Sequence, residues 1–293
     1  MISIVICSRK KCIDPLTAEN IAQTIGAAHE IIIIDNSSNE YSIYEAYNKG
    51  ITSSIGEIIC LMHDDIRMHT ADWGKIALRL FDDHPEAGLI GVAGSRIKTR
   101  MPSAWWNCPQ NMWTLRLLQH RPNNIVEEWN QGFNDSLSEV AIIDGVFMLL
   151  RKNSGLRMNS QLQGFHGYDL ALSLDCFLGG YRVYVTAEIL LEHFSEGALN
   201  DSWLKNTCAL HRLYRHALPR TVPGFDDRET LLKLELSNGK QMIQKLQSAG
   251  SSRATTFRLW WQLFLLKPIS RFHWDMLKQT VKDIFCFPTR EGS

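Results

Sequence analysis

Three polar side chains, His63, Asp64 and Asp65, follow directly on the apolar run Ile58-Ile59-Cys60-Leu61, which has the length of a buried strand. Such groups do not stay buried without partners, so they fall where the strand ends. In open α/β sheets ligands gather outside the carboxyl ends of strands. Paired carboxylates there suit a hard divalent cation, Mg²⁺ or Mn²⁺, that also grips a diphosphate. The competing structural role is an Asp pair that caps the next helix. Four further clusters share this character. Asp35-Asn36-Ser37-Ser38 ends the β-branched run 31–34 and can hold a polar ligand at a strand end. Asp144-Gly145 interrupts the strand-like stretch 140–150, where the glycine marks a bulge or a close approach to a ligand. His166-Gly167-Tyr168-Asp169 opens a helical pattern, and Glu192-His193-Phe194-Ser195 follows the apolar run 189–191. A lone histidine is more often structural than a ligand, but His193 follows other candidate motifs in an α/β pattern.

The elements that must position these groups alternate. Residues 2–7 and 31–34 read as strands around a helical spacing over 14–28, a β-α-β unit, and 41–53 reads as a helix leading into the strand at 58. This alternation implies a parallel, mostly buried sheet and a nucleotide-binding α/β half. Residues 72–83 read as an amphipathic helix and 88–93 as a strand. From 98 to 138 the periodicity fails, which reads as an ordered long loop or insertion. It carries Trp105, Trp106, Trp113 and Trp129 among Pro, Asn and Gln. Aromatic faces beside polar residues suit the apolar C–H faces of sugar rings; anchoring of the insertion itself is the alternative. Residues 164–180 form the next helix, closed by Gly179-Gly180, and 181–186 a further strand. Beyond 200 the pattern is helical, with long segments at 203–215, 228–248 and 257–285. The domain organisation expected is therefore 1–200, an α/β ligand-binding domain, and 201–293, a helical region. In the latter Trp260, Trp261, Phe264 and Trp274 lie near Lys267, Arg271 and Lys278, a pattern for core packing, a dimer seam or a membrane surface.

Composition narrows the class. The 293 residues are 45% hydrophobic and 21% charged, an ordinary globular mixture that excludes a disordered or fibrous chain. Thirty-one basic and 31 acidic residues cancel, so no global field points to nucleic acid. Seven cysteines (Cys7, Cys12, Cys60, Cys108, Cys176, Cys208, Cys286) are odd in number and contain no CxxC pair, the pattern of reduced thiols in a cytosolic protein. No signal peptide and no apolar run of spanning length is visible, so the expected location is cytoplasmic or peripheral to the inner membrane face.

Taken in order, Ile4-Val5-Ile6-Cys7-Ser8-Arg9, Ile34-Asp35-Asn36-Ser37, His63-Asp64-Asp65, Gly167-Tyr168-Asp169 and His193-Phe194-Ser195 resemble the motifs of GT-A glycosyltransferases, specifically the bacterial family 2-like group, over residues 1–197. The resemblance implies a GT-A (Rossmann-like), mostly parallel sheet flanked by helices, followed by the helical C-terminal extension. It implies an inverting, metal-dependent transfer of a sugar from a nucleotide-diphosphate donor to a glycan or lipid-linked acceptor. In that reading Ser8, Arg9, Asp35, Asn36, Asp64, Asp144 and Gly145 bind the donor. Asp65 and His193 hold Mn²⁺ or Mg²⁺, Asp169 is the base, and Trp105, Trp106 and His166 face the acceptor. The C-terminal helices would serve a homodimer or a peripheral membrane contact. Two positions depart from the pattern: His63 replaces the common Asp, leaving Asp65 as the ligand from this strand, and Ala171 replaces a second acidic residue. A degenerate domain that binds without transfer and a nucleotidyltransferase of related fold are the alternatives.

Overall fold

The computed structural model describes residues 1–195, 197 and 199–285; Cys286 lies outside them. The chain begins with the expected alternation of β1 (Ile2–Ser8), α1 (Pro15–Thr24), β2 (His29–Asp35), α2 (Ile43–Ser53) and β3 (Ile58–Met62). It continues with β4 (Ile66–Met68), α3 (Trp73–Asp83), β5 (Ala87–Gly91), β6 (Ala93–Ser95) and β7 (Ile97–Lys98). A hairpin of β8 (Trp113–Arg121) and β9 (Ile125–Gln131) follows, then β10 (Leu137–Glu139), β11 (Ile142–Ile143) and β12 (Phe147–Arg151). Helix α4 (Tyr168–Leu178), β13 (Arg182–Thr186), β14 (Leu191–His193), α5 (Asp201–Leu213) and β15 (Arg220–Thr221) complete a first compact unit, Met1–Asp226. The second unit, Asp227–Ser293, contains α6 (Arg228–Ser248), α7 (Arg253–Leu266) and α8 (Arg271–Phe285).

Local chemistry sets the element ends. Asp14 accepts the Leu16 N–H at 2.9 Å and Pro15 opens α1, where its missing N–H costs nothing. Ser42 and Glu45 form a reciprocal capping box at the start of α2. All five residues of β3 are buried, as a strand covered on both faces requires. Burial of each of its Ile, Leu and Met side chains contributes about 1.5–3 kcal/mol before entropy is subtracted.

The main sheet runs β10-β13-β5-β12-β3-β1-β2. Five of its seven strands share one direction, so it is mostly parallel with two strands reversed. β1 is parallel to β2 and β3, and β13 to β5, but β12 runs antiparallel to both β3 and β5, and β10 to β13. The reversal matters for function. Because β12 enters where β3 leaves, with Phe147 opposite Met62, Asp144 and Gly145 arrive at the edge on which β1, β2 and β3 end. The His63 N–H donates to the Val146 carbonyl at 3.1 Å and fixes that approach.

A second sheet, β11-β6-β8-β14-β4 with β9 on β8, contains the hairpin built from the stretch in which no periodicity was expected. The two hairpin strands are half-exposed, so apolar alternation on β8 is diluted by Arg116, Gln119, His120 and Arg121. Two other boundaries differ from the sequence reading. The helical pattern over 257–285 is two helices, interrupted at Pro268, which lacks a backbone donor. Residues beyond 200 also remain in the first unit. His211 Nδ1 meets the Arg100 carbonyl at 3.0 Å, and the Tyr214 hydroxyl donates to Asp175 at 2.6 Å. The division accordingly falls at Asp226. In the second unit Gly239 permits close approach of α6 to Leu263 on α7, where a Cβ would meet that side chain at 2.6 Å.

Candidate functional site

Ser8, Asp35 and His63 lie at or just beyond the ends of three parallel strands, with Ser8 in register with Asp35. From this edge a cleft of about 650 Å³ opens towards α1, lined by Ser8, Arg9, Asn20, Asp64, Asp65 and Phe194 among others. Asp64 is its centre of hydrogen bonding. It accepts from Ser8 Oγ at 3.4 Å, from the Arg9 backbone N–H at 3.3 Å and from the Arg9 guanidinium at 3.3 Å. Arg9 also stands 3.8 Å from Asp65, while most of its own side chain faces solvent. This arrangement presents a cation and a backbone donor over a carboxylate pair, a setting for a diphosphate that carries its own counter-ion.

Asp35 and Asn36 stand at the same edge without lining that cleft. The Asp35 carboxylate accepts the Ser37 N–H at 2.9 Å, and its bonds from Ser37 hold it below the usual carboxylate range. The Asn36 amide is engaged at both ends by the Tyr41 backbone, with two bonds of 2.9 Å. Asn36 therefore shapes the turn.

Behind Asp65, two imidazoles converge on one carboxylate oxygen. His193 Nε2 is 3.6 Å and His63 Nδ1 3.8 Å from Asp65 Oδ1, and the two nitrogens are 3.4 Å apart. Strand register explains the meeting. β14 pairs antiparallel with β4 so that His193 faces Ile66, and the Phe194 N–H donates to the Asp65 carbonyl at 3.1 Å. The donor set fits a divalent ion of the Mn²⁺ type, with one hard oxygen and two nitrogens within 4.8 Å of one another. The surrounding bonds support the required lone pairs. Gln119 Nε2 donates to the carbonyls of His120 and Ser195, both at 2.9 Å, which turns Gln119 Oε1 towards His193 Nδ1 at 3.0 Å. Nδ1 must then carry the proton, and Nε2 keeps its lone pair facing Asp65. Burial and the neighbouring His63 also lower the affinity of His193 for a second proton. His63 Nε2 lies 2.7 Å from the Tyr168 hydroxyl, so ligation through Nδ1 requires Nε2–H to donate to that oxygen.

Across this triad lie two adjoining pockets. One of about 370 Å³ is lined by His63, His193, Gln119, Asp144 and the four tryptophans Trp105, Trp106, Trp113 and Trp129, among others. The other, of about 220 Å³, contains Asp169, His166, Tyr168, Asp144, Gly145, Trp105 and Trp106. Asp144 and Gly145 thus join Asp169 and the indoles rather than Ser8 and Arg9. Asp144 accepts from Trp105 Nε1 at 2.6 Å and from the Val146 N–H at 2.8 Å. Glycine is required at 145 because a Cβ there would lie 2.3 Å from the Tyr168 hydroxyl. Asp169 sits in the first turn of α4, after Gly167 at φ +78°, and accepts the Leu170 N–H at 2.9 Å. Burial first, and the charge of Asp144 second, push its carboxyl up to about 7. A carboxylate in that range is matched to taking a proton near neutral pH. Burial lowers His166 in turn, so it is neutral there. Ala171 is fully buried in α4, so its position presents no side chain to this pocket.

The sequence motifs thus meet at one edge. The structure gives a role to two of their members that the sequence reading left without one, His63 and Tyr168, and it adds Gln119, which lies in no motif and has an ordinary sequence context.

The family described as "Glycosyltransferase like family" matches the chain over residues 4–215. No curated protein matches it in sequence. Among solved structures it is similar to the mannosyltransferase PcManGT from Pyrobaculum calidifontis in complex with GDP-Man and Mn²⁺, at 13% identity and a TM-score of 0.49, covering 97% of this chain and 87% of that one. TarS 1–349 from S. aureus in complex with UDP-GlcNAc is similar at 9% identity and a TM-score of 0.47, covering 85% and 83%. GalNAc-T7 with UDP, GalNAc and Mn²⁺ is similar at 10% identity and a TM-score of 0.50, covering 85% and 56%. The match over most of the chain, on a sheet of this topology, makes the protein a glycosyltransferase of GT-A fold that belongs to the glycosyltransferase-like family.

Proposed function

We propose that the protein is an inverting, divalent-cation-dependent glycosyltransferase that moves a sugar from a nucleotide diphosphate to a hydroxyl of a glycan or lipid-linked acceptor. The observation that carries this reading is the triad of His63, Asp65 and His193, standing between a polar cleft and a pocket that holds a carboxyl tuned to about 7. The nucleotide diphosphate occupies the cleft of Ser8, Arg9 and Asp64, with Asp35 at its rim. The transferred sugar faces Asp144, and the acceptor enters past Trp105, Trp106 and His166.

In the reaction the Asp169 carboxylate removes the proton of the acceptor hydroxyl. That oxygen forms the new bond to the anomeric carbon as the bond to the diphosphate oxygen breaks, and the bonding pair leaves with the diphosphate. Base and leaving group act on opposite faces of the sugar, so the anomeric centre inverts. Mn²⁺ or Mg²⁺ held by His63, Asp65 and His193 would supply positive charge to the departing diphosphate, and the Arg9 guanidinium lies on the same side. GalNAc-T7, which shares the fold, has been solved with UDP and Mn²⁺.

No helix among the described residues is long and apolar enough to cross a membrane. Work in the cytoplasm or against the inner membrane face accords with the exposed Trp261, Leu265 and Trp274 of the second unit, which also suit a homodimer contact.

The test is a thermal-shift panel of UDP-, GDP-, CMP- and dTDP-sugars with and without Mn²⁺, followed by calorimetry on Asp65→Asn. One nucleotide class should stabilise the protein only with the cation, and the variant should lose that dependence. Unchanged Mn²⁺-dependent affinity in Asp65→Asn would count against the reading.

A further inference from the structure

We propose that the acceptor is a carbohydrate chain of at least two sugar residues, with its reacting ring beside Asp169 and the next ring seated on Trp113 and Trp129. The inference rests on the transferase reading above and narrows its acceptor class.

The division between the two pockets carries the argument. Asp169 lines the smaller pocket together with Trp105 and Trp106, whereas Trp113 and Trp129 line only the larger one. A hydroxyl within reach of Asp169 therefore leaves the second pair of indoles unused unless the acceptor continues past its reacting ring.

The larger pocket is built on one face of β8. Trp113, Leu115, Leu117 and Gln119 alternate along the strand and all line it. On β9, Trp129 stands opposite Leu117, only two residues from Gln119, or about 7 Å along the strand. The aromatic pair thus begins one short step beyond the His193 end of the wall, on the same face.

The indoles are held in place by the protein itself. Trp105 donates to Asp144 at 2.6 Å, Trp113 to the Trp106 carbonyl at 3.2 Å and Trp129 to Glu127 at 3.2 Å. Edge contacts link the rings, with centroids 6.0 Å apart for Trp105 and Trp113 and 5.9 Å for Trp113 and Trp129. With their N–H groups satisfied, the rings offer apolar faces in a fixed geometry, and little entropy remains to be lost on binding. Fixed flat faces between the polar ends of Gln119 and Asp144 match a ligand with apolar C–H faces and polar edges, which describes a pyranose. An aliphatic chain gains nothing from indole orientation and has no hydroxyl to donate to the acceptor sites that the Asp144 carboxylate keeps beside its bonds from Trp105 and Val146.

The experiment uses the full-length protein, Mn²⁺ and the nucleotide sugar selected by the thermal-shift panel. Acceptors are an array of mono-, di- and longer oligosaccharides and, separately, a lipid phosphate in detergent. We expect transfer to an oligosaccharide with a KM at least about tenfold below that of the monosaccharide bearing the same terminal ring. Trp129→Ala should abolish this advantage and Trp129→Phe should restore most of it. Mn²⁺-dependent nucleotide binding by both variants would report an intact fold. Equal KM for mono- and oligosaccharide overturns the inference, as do transfer to the lipid phosphate alone, rejection of every glycan on the array, or a length preference that survives in a folded Trp129→Ala. Absence of nucleotide binding by the wild type overturns the transferase reading itself, and this inference with it.

Discussion

Replacing Asp169 by Asn should remove activity and add stability, because the burial that tunes this carboxyl also penalises its ionised form. Burial and Asp144 raise it from 3.8 to about 7, a difference of about 3 units. At 1.36 kcal/mol per unit the ceiling on the penalty is about 4 kcal/mol. The group is half-buried by accessible surface, and solvent screening brings the expectation down to about 2 kcal/mol. The sign follows from proton counting. Between about pH 4 and pH 7 the folded protein keeps a proton that the unfolded chain has released, so stability falls as pH rises through that window. Above about pH 7 the full penalty applies. Asn keeps the shape, retains an oxygen for the Leu170 N–H and carries no charge beside Asp144. At pH 8.5 the variant should therefore melt about 4–8 °C higher than the wild type, and the gap should close as pH approaches 4. Transfer should fall by roughly 10²- to 10⁴-fold, and in the wild type kcat/KM should rise with pH through about 7. Scanning fluorimetry at several pH values and a nucleotide-release assay with acceptor measure both arms. Near-normal turnover, or a melting difference that does not change with pH, would refute the reasoning.

Asp144→Asn removes the second cause of the raised carboxyl while its amide oxygen can still accept from Trp105. The acidic limb of kcat/KM should move to lower pH, by up to about one unit, in a pH–rate profile. Gln119→Leu frees His193 to take either tautomer, and calorimetry should find Mn²⁺ affinity in the presence of nucleotide reduced by about 10- to 100-fold. Gly145→Ala forces a methyl group towards the Tyr168 hydroxyl. Urea denaturation should show a loss of about 1–3 kcal/mol, and Mn²⁺ should bind more weakly because Tyr168 no longer supports His63.

What the sequence made legible follows from locality. The apolar run of β3 and the β-branched runs of β1 and β2 are short-range patterns, and parallel strands end on one edge, so Ser8, Asp35 and Asp65 were bound to share it. The reversal of β12 left no such mark. A run of four buried apolar residues reads the same in either direction, and only the pairing of β12 with β3 and β5 reveals that Asp144 and Gly145 enter the site from the opposite chain direction. Gln119 was hidden for a related reason. It lies in a half-exposed hairpin whose mixed polar sequence resembles a loop, and its role arises only because β8 pairs with β14 so that Gln119 stands opposite His193.

His63 shows how such long-range pairing changes the meaning of a single residue. In the sequence it is a departure that leaves one carboxylate to hold a cation from this strand. In the fold its Nδ1 turns towards Asp65 and His193, so the position retains a donor atom, with nitrogen in place of oxygen. A neutral imidazole needs a partner on its other nitrogen to stay oriented, and the hydroxyl at 2.7 Å comes from Tyr168, the residue immediately before Asp169. Tyr168 is itself held edge-on by Tyr44 and Tyr47 in the core, at ring distances of 6.4 and 5.7 Å. The first turn of α4 thus carries both the carboxyl proposed as base and the prop of a proposed cation ligand. A displacement of that turn alters both at once, which is why the glycine at 145 and the left-handed glycine at 167 frame it on either side.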